Sequence, residues 1–424
     1  DKDKVARANT ALPTVASGKV FLPEDAPWRL VFEHEHEVFP GGAHDDQVDC
    51  CDDKTTVLTS DGWKGFGELT YSDQMATLSP AGELEYQTPT NLISYHYSGP
   101  MIQVIGSEQI DLVVTPNHKL FVSKSKGANQ YAGYGLQTAD SIRHVRFKRN
   151  AEWVGVDREK HTIPGYSNKT NRKSGVPDIV VDMAAWVEFI GWYVSEGWTS
   201  GHSRVGVSQS QSANSAKCDA IANCLAHLPF EWHRDPLRGF WTDNVQLQRH
   251  VRAITGGHAQ HKRIPRPLLS LPPAKLRLLL ASMMAGDGWG DRCYGTTSPG
   301  LADDFLELLL KCGLAGTIGV KHQAGKKALN GVNHFDLSVV CISKEQFYPC
   351  VNYSPRRGAK TVTVQYDGQV GCCEVPNHII YVKRNGKPCW IGNCTTQFLN
   401  WARLHVVTDT GGLTGVPQKS KWRE

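Results

Sequence analysis

Near its C-terminal end the sequence reads Gly392-Asn393-Cys394, and this stretch gains meaning from a thiol far upstream. Cys50 stands in the run Asp49-Cys50-Cys51-Asp52. When residues 50–393 are taken out, the flanks read His-Asp-Asp-Gln-Val-Asp followed by Cys-Thr-Thr-Gln-Phe-Leu-Asn-Trp, which suits one continuous helix. The sequence therefore predicts a protein interrupted by an insert that removes itself.

The composition is ordinary for a globular protein and slightly basic. The 424 residues are enough for two or three domains, with 40% hydrophobic and 21% charged residues. The net charge of +4 is compatible with nucleic acid as a partner and does not require it. No apolar run approaches the roughly 18 residues of a membrane helix, and the charged start Asp1-Lys2-Asp3-Lys4 is unlike a signal peptide. We therefore expect a cytoplasmic protein with no membrane partner.

Twelve cysteines raise the possibility of disulfides or zinc. Two pairs are adjacent in sequence, Cys50-Cys51 and Cys372-Cys373, and no Cys-x-x-Cys motif occurs. Adjacent cysteines have poor geometry for one metal ion, so reduced thiols in a cytoplasmic protein are the better interpretation. A non-enzymatic zinc protein remains an alternative that metal analysis would test.

The pattern of residues changes twice along the chain. Short β-type runs separated by turns extend from Cys50 to about residue 165 and return after about residue 355. Between them, apolar residues recur at helical spacing over 183–198, 215–228, 274–285 and 301–312. The simplest prediction is a β fold interrupted by an α/β domain.

Each step of peptide splicing has a candidate residue. The Cys50 thiol can attack the Asp49 carbonyl, because a thiol is both a nucleophile and a good leaving group. In the run Thr115-Pro116-Asn117-His118, the imidazole can protonate the departing amine and the hydroxyl can hold the junction. Cys394 would then take the acyl group. Cyclisation of Asn393 would release the branch, and no cofactor is needed.

These positions resemble the Hint fold of inteins, motif by motif. The opening spacing Cys50…Thr55-x-Val57, the run Thr115-x-x-His118 and the closing runs Val375-Pro376-Asn377-His378 and Gly392-Asn393-Cys394 match the motifs of that family. The resemblance implies Cys50 rather than Cys51 as the first residue of the insert, although both stay open.

Two positions depart from the family pattern. Gly392 stands where many inteins have His, so activation of Asn393 must come from elsewhere, and His378 is the candidate. Cys372 stands near a position where many carry Asp, and the resemblance implies a role for it in coordinating the steps. Both departures bear on the rate of splicing more than on the ability to splice.

Two apolar stretches share a second pattern, with a small residue at the third place and an acid plus Gly at the end. They are Phe189-Ile190-Gly191-Trp192-Tyr193-Val194-Ser195-Glu196-Gly197 and Leu280-Ala281-Ser282-Met283-Met284-Ala285-Gly286-Asp287-Gly288. Small residues allow two helices to pack closely, which brings Glu196 and Asp287 side by side. An acid at a helix C-terminus is disfavoured by the helix dipole, so two of them predict a counter-charge, most simply a divalent metal.

This pair of stretches resembles the LAGLIDADG (DOD-type) homing endonucleases. The resemblance implies Mg²⁺ held by Glu196 and Asp287, with double-stranded DNA as substrate at the insert-free homing site. The run His261-Lys262-Arg263-Ile264-Pro265 is also typical of that family. Basic runs at 143–149, 249–252 and 321–327 are predicted to line a DNA-binding sheet, with solvated surface as the alternative for each.

The flanks carry a third resemblance. The run Phe-Pro-Gly-Gly-Ala-His-Asp-Asp-Gln-Val-Asp at 39–49 resembles the end of the nuclease domain of phage terminase large subunits. That implies Asp45 or Asp46 as a ligand of the host nuclease's Mg²⁺, with a helix N-cap as the alternative. The implied partners of the spliced host are phage DNA and the packaging machinery, in the cytoplasm of a bacterial cell.

Together these patterns predict a multidomain chain. An all-β Hint (horseshoe) splicing domain, residues 50–165 and 355–393, is interrupted by an α/β LAGLIDADG endonuclease domain, residues 166–354. Residues 1–49 and 394–424 are fragments of an RNase H-like α/β nuclease domain of the host. The competing functions are a splicing-impaired Hint protein that only cleaves, or a DNA-binding module with a decayed nuclease.

Overall fold

A computed structural model describes most of the segment between the two junctions. The described residues are 50–106, 109–127, 130–167, 175–328, 331–332, 334–344, 350–351 and 359–393. The predicted host ligands Asp45 and Asp46 and the downstream nucleophile Cys394 lie outside these residues. The described chain is mostly β, with several sheets and helices confined to its middle, so the predicted interruption of β structure by a helical part is confirmed.

The first part of the chain is built only of strands and one short 3-10 turn. Its strands are β1 (Cys51–Asp52), β2 (Thr55–Thr59), β3 (Gly62–Gly65), β4 (Met75–Leu78), β5 (Leu84–Gln87), β6 (Asn91–Gly106), β7 (Ile110–Val114), β8 (Lys119–Gly127), β9 (Gln130–Thr138) and β10 (Val145–Phe147). Strand β6 has 16 residues and is longer than the short runs of the sequence predict, because it pairs along nearly its whole length with the distant strand 360–374.

The middle of the chain contains all five α-helices of the described residues. In chain order its elements are β11 (Lys160–Ile163), β12 (Ile179–Asp182), α1 (Met183–Glu196), β13 (Gly197–Ser200), β14 (Arg204–Val207), α2 (Ser215–Ala226), β15 (His233–Asp235), β16 (Gly239–Asp243), α3 (Val245–Thr255), α4 (Pro273–Asp287), β17 (Gly288–Trp289), β18 (Cys293–Thr296), α5 (Pro299–Lys311), β19 (Gly316–His322), β20 (Lys327–Ala328), β21 (Gly331–Val332) and β22 (Leu337–Ile342). Two 3-10 turns, Ala259–His261 and Arg266–Ser270, lie between α3 and α4.

The last part returns to β structure and pairs with the first. Its strands are β23 (Cys350–Val351), β24 (Lys360–Glu374), β25 (Ile379–Arg384) and β26 (Lys387–Gly392). Strands β1, β24, β6 and β7 form a closed barrel, and a ten-stranded sheet runs in the order β23-β10-β8-β26-β25-β2-β4-β5 with β3 and β9 paired at its side. The two chain segments that flank the helical part therefore make one β unit.

The middle part repeats one structural unit twice. Helix α1 leads into the hairpin β13–β14, then α2, then β15 and β16; helix α4 leads into the hairpin β17–β18, then α5, then β19 and β22. The two four-stranded sheets have equivalent orders, β13-β14-β16-β15 and β17-β18-β22-β19. This internal repeat is what two motifs in one chain predict.

The two halves meet along α1 and α4, and small residues set how closely. A Cβ added to Gly191 would lie 2.8 Å from the carbonyl oxygen of Leu279, and one added to Gly286 would lie 2.5 Å from the Cβ of Ser195. Either approach is closer than real carbon atoms allow, so no larger side chain fits at these positions. The predicted close packing of the two helices is present in the structure.

The β unit and the helical part are joined by a buried arginine at the end of β10. Arg149 is 1% exposed. Its guanidinium donates to the carbonyl oxygens of Pro388 (3.1 Å) and Gly316 (2.5 Å) and to the hydroxyl of Ser343 (3.1 Å). Burial lowers the pKa of this group. Arg149 belongs to the basic run 143–149, but it is unavailable to DNA because it links β26 to the helical part.

A second set of contacts joins the same two parts through charged groups. Arg266 donates to the carbonyl oxygen of Ser60 at 2.5 Å and pairs with buried Glu307 at 2.5 Å. The Tyr86 hydroxyl donates to Glu307 at 3.3 Å, and Lys311 donates to it at 2.7 Å. Removing one partner from such a buried network costs about 3–5 kcal/mol, so we expect the two parts to unfold together. The described residues include no helix long and apolar enough to cross a membrane.

A pair of histidines makes the stability of the helical part depend on pH. The Nε2 atoms of His161 and His250 lie 2.8 Å apart, and the His161 ring stacks on Trp186. Burial, with His250 nearby, lowers the pKa of His161 to about 4, and burial also lowers that of His250. Because both pKa values are depressed, stability is complete above about pH 6.5, the unfolded value, and is lost as pH falls toward 4.

We expect this pair to contribute a loss of about 1–2 kcal/mol in the free energy of unfolding between pH 6.5 and pH 4, because solvent reaches both half-buried rings and screens part of the effect. Urea denaturation at several pH values measures it. The variant His250→Gln should flatten the curve in this window, whereas the same change at exposed His258 should leave it unchanged. An equal slope in all three proteins contradicts the assignment.

Candidate splicing and nuclease sites

The upstream junction residue Cys50 is fully buried beside β1. Its backbone N–H donates to the hydroxyl oxygen of Thr115 at 3.1 Å, and its carbonyl oxygen accepts from the Thr115 N–H at 3.0 Å. The Cys50 side chain packs in one cluster with that of Cys372, because β1 pairs with β24. The structure thus brings together three predicted site residues.

The turn from Thr115 to Lys119 also meets the other end of the segment. Strand β26 pairs with β8 through Ile391 and Leu120, and Gly392 lies directly against the Lys119 backbone. The two predicted junctions are far apart in sequence, yet both contact this one turn. A reaction that joins the two flanks requires such proximity.

Asn393, the predicted cyclising residue, is fully buried and held from two sides. Its side-chain Nδ2 donates to the carbonyl oxygen of Val375 at 3.0 Å, and its backbone N–H donates to the carbonyl oxygen of His378 at 3.1 Å. Donation from Nδ2 to a carbonyl increases the electron density on that nitrogen. The nitrogen that would attack is therefore oriented and polarised by the main chain.

The two predicted histidines differ in their placement. His118 is fully buried in the turn after β7, where its N–H donates to the Thr115 carbonyl oxygen at 3.0 Å. His378 is exposed, with a backbone φ of 58°. Within the described residues the His378 imidazole makes no hydrogen bond to Asn393. The main-chain carbonyl oxygen of His378 accepts from the Asn393 N–H instead. The group that contacts Asn393 Nδ2 in the structure is therefore the Val375 carbonyl rather than the His378 ring.

The close approach at Gly392 gives a physical reason for glycine at this position. An added Cβ would lie 2.7 Å from the Lys119 carbonyl oxygen and 2.9 Å from the Leu136 side chain. A histidine side chain, which many inteins have here, does not fit unless β8 moves away. The packing of this turn therefore explains why the chain has glycine rather than histidine at position 392.

Replacing Gly392 by alanine is expected to lower stability by about 1–3 kcal/mol, the usual cost of forcing a methyl group into a packed site. It should also slow release of residues 394–424, because Asn393 shifts away from Val375. Thermal unfolding and a time course of cleavage measure the two effects. Gly386→Ala does not serve as a control because that glycine is also crowded, whereas Gly319 has open space around it and no left-handed backbone angle. Equal cleavage rates for Gly392→Ala and Gly319→Ala contradict the expectation.

A buried ion network fixes the strand that carries the upstream junction. Arg384 on β25 donates to Asp52 on β1 at 2.8 Å and to Asp111 on β7 at 2.6 Å. Thr55 donates to the other oxygen of Asp52 at 2.6 Å. Because β1 and β7 carry Cys50 and Thr115 at their ends, Arg384 holds these two residues in register. Sequence reasoning missed this network, since Asp52, Asp111 and Arg384 are far apart in sequence and meet only in the folded chain.

The second site lies where α1 and α4 end. Glu196 and Asp287 are the last residues of the two helices, and both are half-buried. Burial, with repulsion from Glu196, raises the pKa of Asp287 to about 6, against the opposing influence of two lysines. A Cβ added to Gly286, the residue before Asp287, would lie 3.7 Å from the Glu196 side chain, so the two helix ends lie side by side. The pair of acids predicted from the repeated stretches is present at one place.

Each helix C-terminus has a lysine, which sequence reasoning did not predict. Lys262 is 5% exposed and donates to the carbonyl oxygens of Tyr193 (2.8 Å) and Gly197 (2.7 Å) at the end of α1. Lys217 on α2 donates to the carbonyl oxygen of Gly286 at 2.7 Å and pairs with Glu196 at 3.2 Å. Burial lowers the pKa of Lys262 to about 8. The counter-charge at these helix ends therefore includes two lysines.

The donor set at this site fits a divalent cation of the magnesium type. Within the described ranges no group of three or more His, Cys, Asp or Glu side chains is arranged to hold a metal ion. Mg²⁺ is usually held by one or two carboxylates, with water and substrate phosphates as its other ligands. Glu196 and Asp287 supply two carboxylates that repel each other, and a cation between them would relieve the repulsion.

The surfaces around this site are basic in part. An open cavity beside Glu196 is lined by Trp198, Gln209, Lys217 and Arg238 among others. In the predicted basic runs, Arg249 and Arg252 are exposed on α3, and Lys321 lies over the Trp289 ring at 4.9 Å. Arg146 lies 3.6 Å over the Tyr131 ring, while Arg149 is buried as described above.

Comparison with known proteins finds matches that each cover part of the chain or of the other protein. No family model matches. The chain is 30% identical over 295 residues to an ATP-dependent Clp protease proteolytic subunit from Chlamydomonas moewusii, covering 64% of this chain and 28% of that protein. It is 25% identical over 406 residues to a DNA-directed RNA polymerase subunit beta C-terminal section from Stigeoclonium helveticum, covering 82% of this chain and 37% of that protein.

Among solved structures, a splice-inactive variant of the AceL NrdHF class 3 split intein is similar to 31% of this chain and is covered to 75% of its own length. The identity is 14% and the TM-score 0.20, which is too low to establish a shared fold. The chain spans about a third of the length of the two sequence relatives, so their whole activities do not transfer to it.

Proposed function

We propose that residues 50–393 are a self-splicing intein, which excises itself and joins Asp49 to Cys394. The observation that carries the proposal is the meeting of both junctions at the turn from Thr115 to Lys119. Thr115 holds the Cys50 amide, and the Lys119 backbone lies against Gly392. Transfer of an acyl group from one flank to the other requires the two peptide bonds to lie close together, and these contacts support that requirement.

Each step of the proposed reaction has a candidate residue in the chain. Cys50 attacks the Asp49 carbonyl carbon, forming a thioester while the Cys50 nitrogen leaves as an amine. Thr115 holds that nitrogen, and His118 in the same buried turn supplies the proton. Cys394 then displaces the Cys50 sulfur. Asn393 Nδ2 attacks its own carbonyl carbon, which breaks the bond to Cys394, and a shift from sulfur to nitrogen leaves an ordinary peptide.

The main-chain contacts favour Cys50 over Cys51 as the first residue of the insert. Both thiols are fully buried, so burial does not distinguish them. The Cys50 amide donates to the Thr115 hydroxyl at 3.1 Å, which holds the amine that would leave when Cys50 attacks Asp49.

The sequence relatives support the idea of a mobile insert. Their names describe a protease subunit and an RNA polymerase subunit, whose chemistries are unrelated. Each alignment leaves most of the relative's own length outside it. A segment shared by proteins of unrelated function is what an insert that moves between genes produces.

We further propose that the helical part is a DNA endonuclease of the LAGLIDADG type. The paired acids at the ends of α1 and α4, the repeated unit and the two equivalent sheets support this assignment. Mg²⁺ bound by Glu196 and Asp287 would activate water and stabilise the leaving phosphate oxygen. Lys217 and Lys262 place positive charge where a phosphate would bind, and double-stranded DNA at the insert-free gene is the proposed substrate.

The flanks are proposed to belong to a phage terminase large subunit. This host assignment rests on the sequence resemblance at 39–49, where Asp45 or Asp46 would bind a metal of the host nuclease. We expect the unspliced precursor to lack packaging-nuclease activity, because the insert interrupts the helix that follows these acids. A precursor with Cys50→Ala and Asn393→Ala that still cleaves DNA in the host reaction contradicts the assignment.

The deciding test of splicing is intact-mass spectrometry of the expressed chain with and without a thiol reductant. The expected products are a ligated peptide of residues 1–49 and 394–424 and an insert of residues 50–393. Persistence of the 46.9 kDa chain alone argues against splicing. Cleaved but unligated pieces favour the cleavage-only alternative instead.

A further inference from the structure

Two thiols on neighbouring strands of the second four-stranded sheet lie in contact. Cys293 on β18 and Cys341 on β22 are direct partners in the antiparallel register, although they are 48 residues apart in sequence. Their Sγ atoms lie 3.1 Å apart. The two sulfur atoms need to approach by only about 1 Å to reach the bond length of a disulfide.

The backbone around this pair suits a covalent bond between the strands. The Ile342 N–H donates to the carbonyl oxygen of Arg292 at 2.7 Å, so residues 292 and 342 form a hydrogen-bonded pair. The next pair, Cys293 and Cys341, is therefore a non-hydrogen-bonded pair, in which Cα atoms lie about 4.5 Å apart. That separation falls within the range of about 4.4–6.8 Å found in disulfides.

These two thiols are also the accessible ones. Among the ten cysteines whose side chains the structure describes, Cys341 is exposed, Cys293 is half-buried and the other eight are buried. Burial raises the pKa of Cys312 and of Cys389 to about 12, and it raises that of Cys224 further. Buried thiols that stay protonated react slowly with oxidants. A mild oxidant should therefore select the pair on the sheet.

We propose that Cys293 and Cys341 form a reversible disulfide, a modification site within the helical part of the chain. The co-reactant is a low-molecular-weight disulfide. One cysteine thiolate attacks it and releases one small thiol, leaving a mixed disulfide. The second cysteine then attacks the sulfur of the first cysteine, which forms the Cys293–Cys341 bond and releases the other small thiol. The two cysteines lose two protons and two electrons, and the small disulfide is reduced to two thiols.

The bond would tie together the second half of the internal repeat. Helix α5 and strand β19 lie in the loop that it closes, and β18 belongs to the hairpin that directly follows Asp287. A cross-link that closes a long loop stabilises a protein mainly by restricting the unfolded chain. We therefore expect oxidation to raise the melting temperature of the chain by several degrees.

The test uses the full chain with Cys50→Ala and Asn393→Ala, so that it stays in one piece. Treatment with oxidised glutathione, blocking of remaining thiols and peptide mapping should show residues 293 and 341 linked, with a mass loss of about 2 Da for two hydrogens. Dithiothreitol should reverse both the link and the rise in melting temperature. The variants Cys293→Ser and Cys341→Ser should each abolish the link, whereas Cys312→Ala should retain it.

Two results overturn the proposal. One is a stable glutathione adduct on Cys341 of the parent chain without closure onto Cys293, which means that the sheet holds the thiols apart. The other is oxidation of the buried cysteines at the same rate as the pair, which means that accessibility does not select it. Cys341 is exposed and Cys293 is half-buried, so we expect both serine variants to fold and the peptide maps to report on the link alone.

Discussion

The Cys50→Ala variant is expected to keep residues 1–49 joined to residue 50 in every molecule. Because the variant lacks the sulfur that attacks Asp49, the upstream reaction should fall by more than about a thousandfold, as in enzymes that lose their nucleophile. Release of residues 394–424 should continue, because Asn393 cyclises with its own amide nitrogen, which Val375 holds at 3.0 Å. Intact-mass spectrometry over a time course measures both reactions separately.

The matched control for this prediction is the neighbouring thiol. Cys51→Ala removes a methyl-sized sulfur from the core and should reduce stability moderately, but splicing should continue at permissive temperature. If Cys51→Ala blocks upstream cleavage and Cys50→Ala does not, the insert begins one residue later. Loss of both reactions in Cys50→Ala, with folding intact by circular dichroism, contradicts the independent action of Asn393.

The Asp287→Asn variant is expected to lose DNA cleavage by more than about a hundredfold, since changes in the outer shell of metal sites already cost 10–100-fold. Asparagine keeps the shape of the side chain and removes the charge that a divalent cation needs. It also removes repulsion from Glu196, so stability should stay equal or rise. Cleavage of a plasmid carrying the insert-free host sequence, with and without Mg²⁺, measures the effect.

Asp291→Asn provides the control at an exposed acid four residues away, in the turn between β17 and β18. Its φ of 60° suits asparagine as well as aspartate, so the fold should be unaffected. Splicing should proceed in both variants, because Asp287 lies outside the β unit. Equal loss of cleavage in both variants, or full activity in Asp287→Asn, argues against the nuclease assignment.

The sequence predicted well what short-range patterns encode. The four segments with helical spacing correspond to α1, α2, α4 and α5. The small residues at the third place of both apolar stretches correctly predicted the close contact of Gly191 with the α4 backbone. Helix α3 was not predicted, because its apolar residues are few. Asn244 at its start and Gly256 at its end are capping residues, and this pair of signals could have predicted the helix.

Sequence reasoning could not predict partners that tertiary structure brings together. Lys217 reaches Glu196 because α2 packs near α1, and nothing in its own surroundings in sequence distinguishes it from a solvated lysine. The Val375 carbonyl that contacts Asn393 is a main-chain group, so the type of residue at position 375 does not predict the contact. Cys372 reaches Cys50 only through the long register of β24 with β6 and β1.

Arg149 makes the β unit depend on the helical part for its stability. A shortened chain without the helical part keeps the Pro388 acceptor but loses those of Gly316 and Ser343, which leaves a buried charge poorly solvated. Such a deletion should destabilise the β unit, and Arg149→Met should restore part of the loss in urea denaturation. If the helical part is the proposed endonuclease, its deletion is selected against even where its DNA target is absent, because the β unit needs it to stay folded.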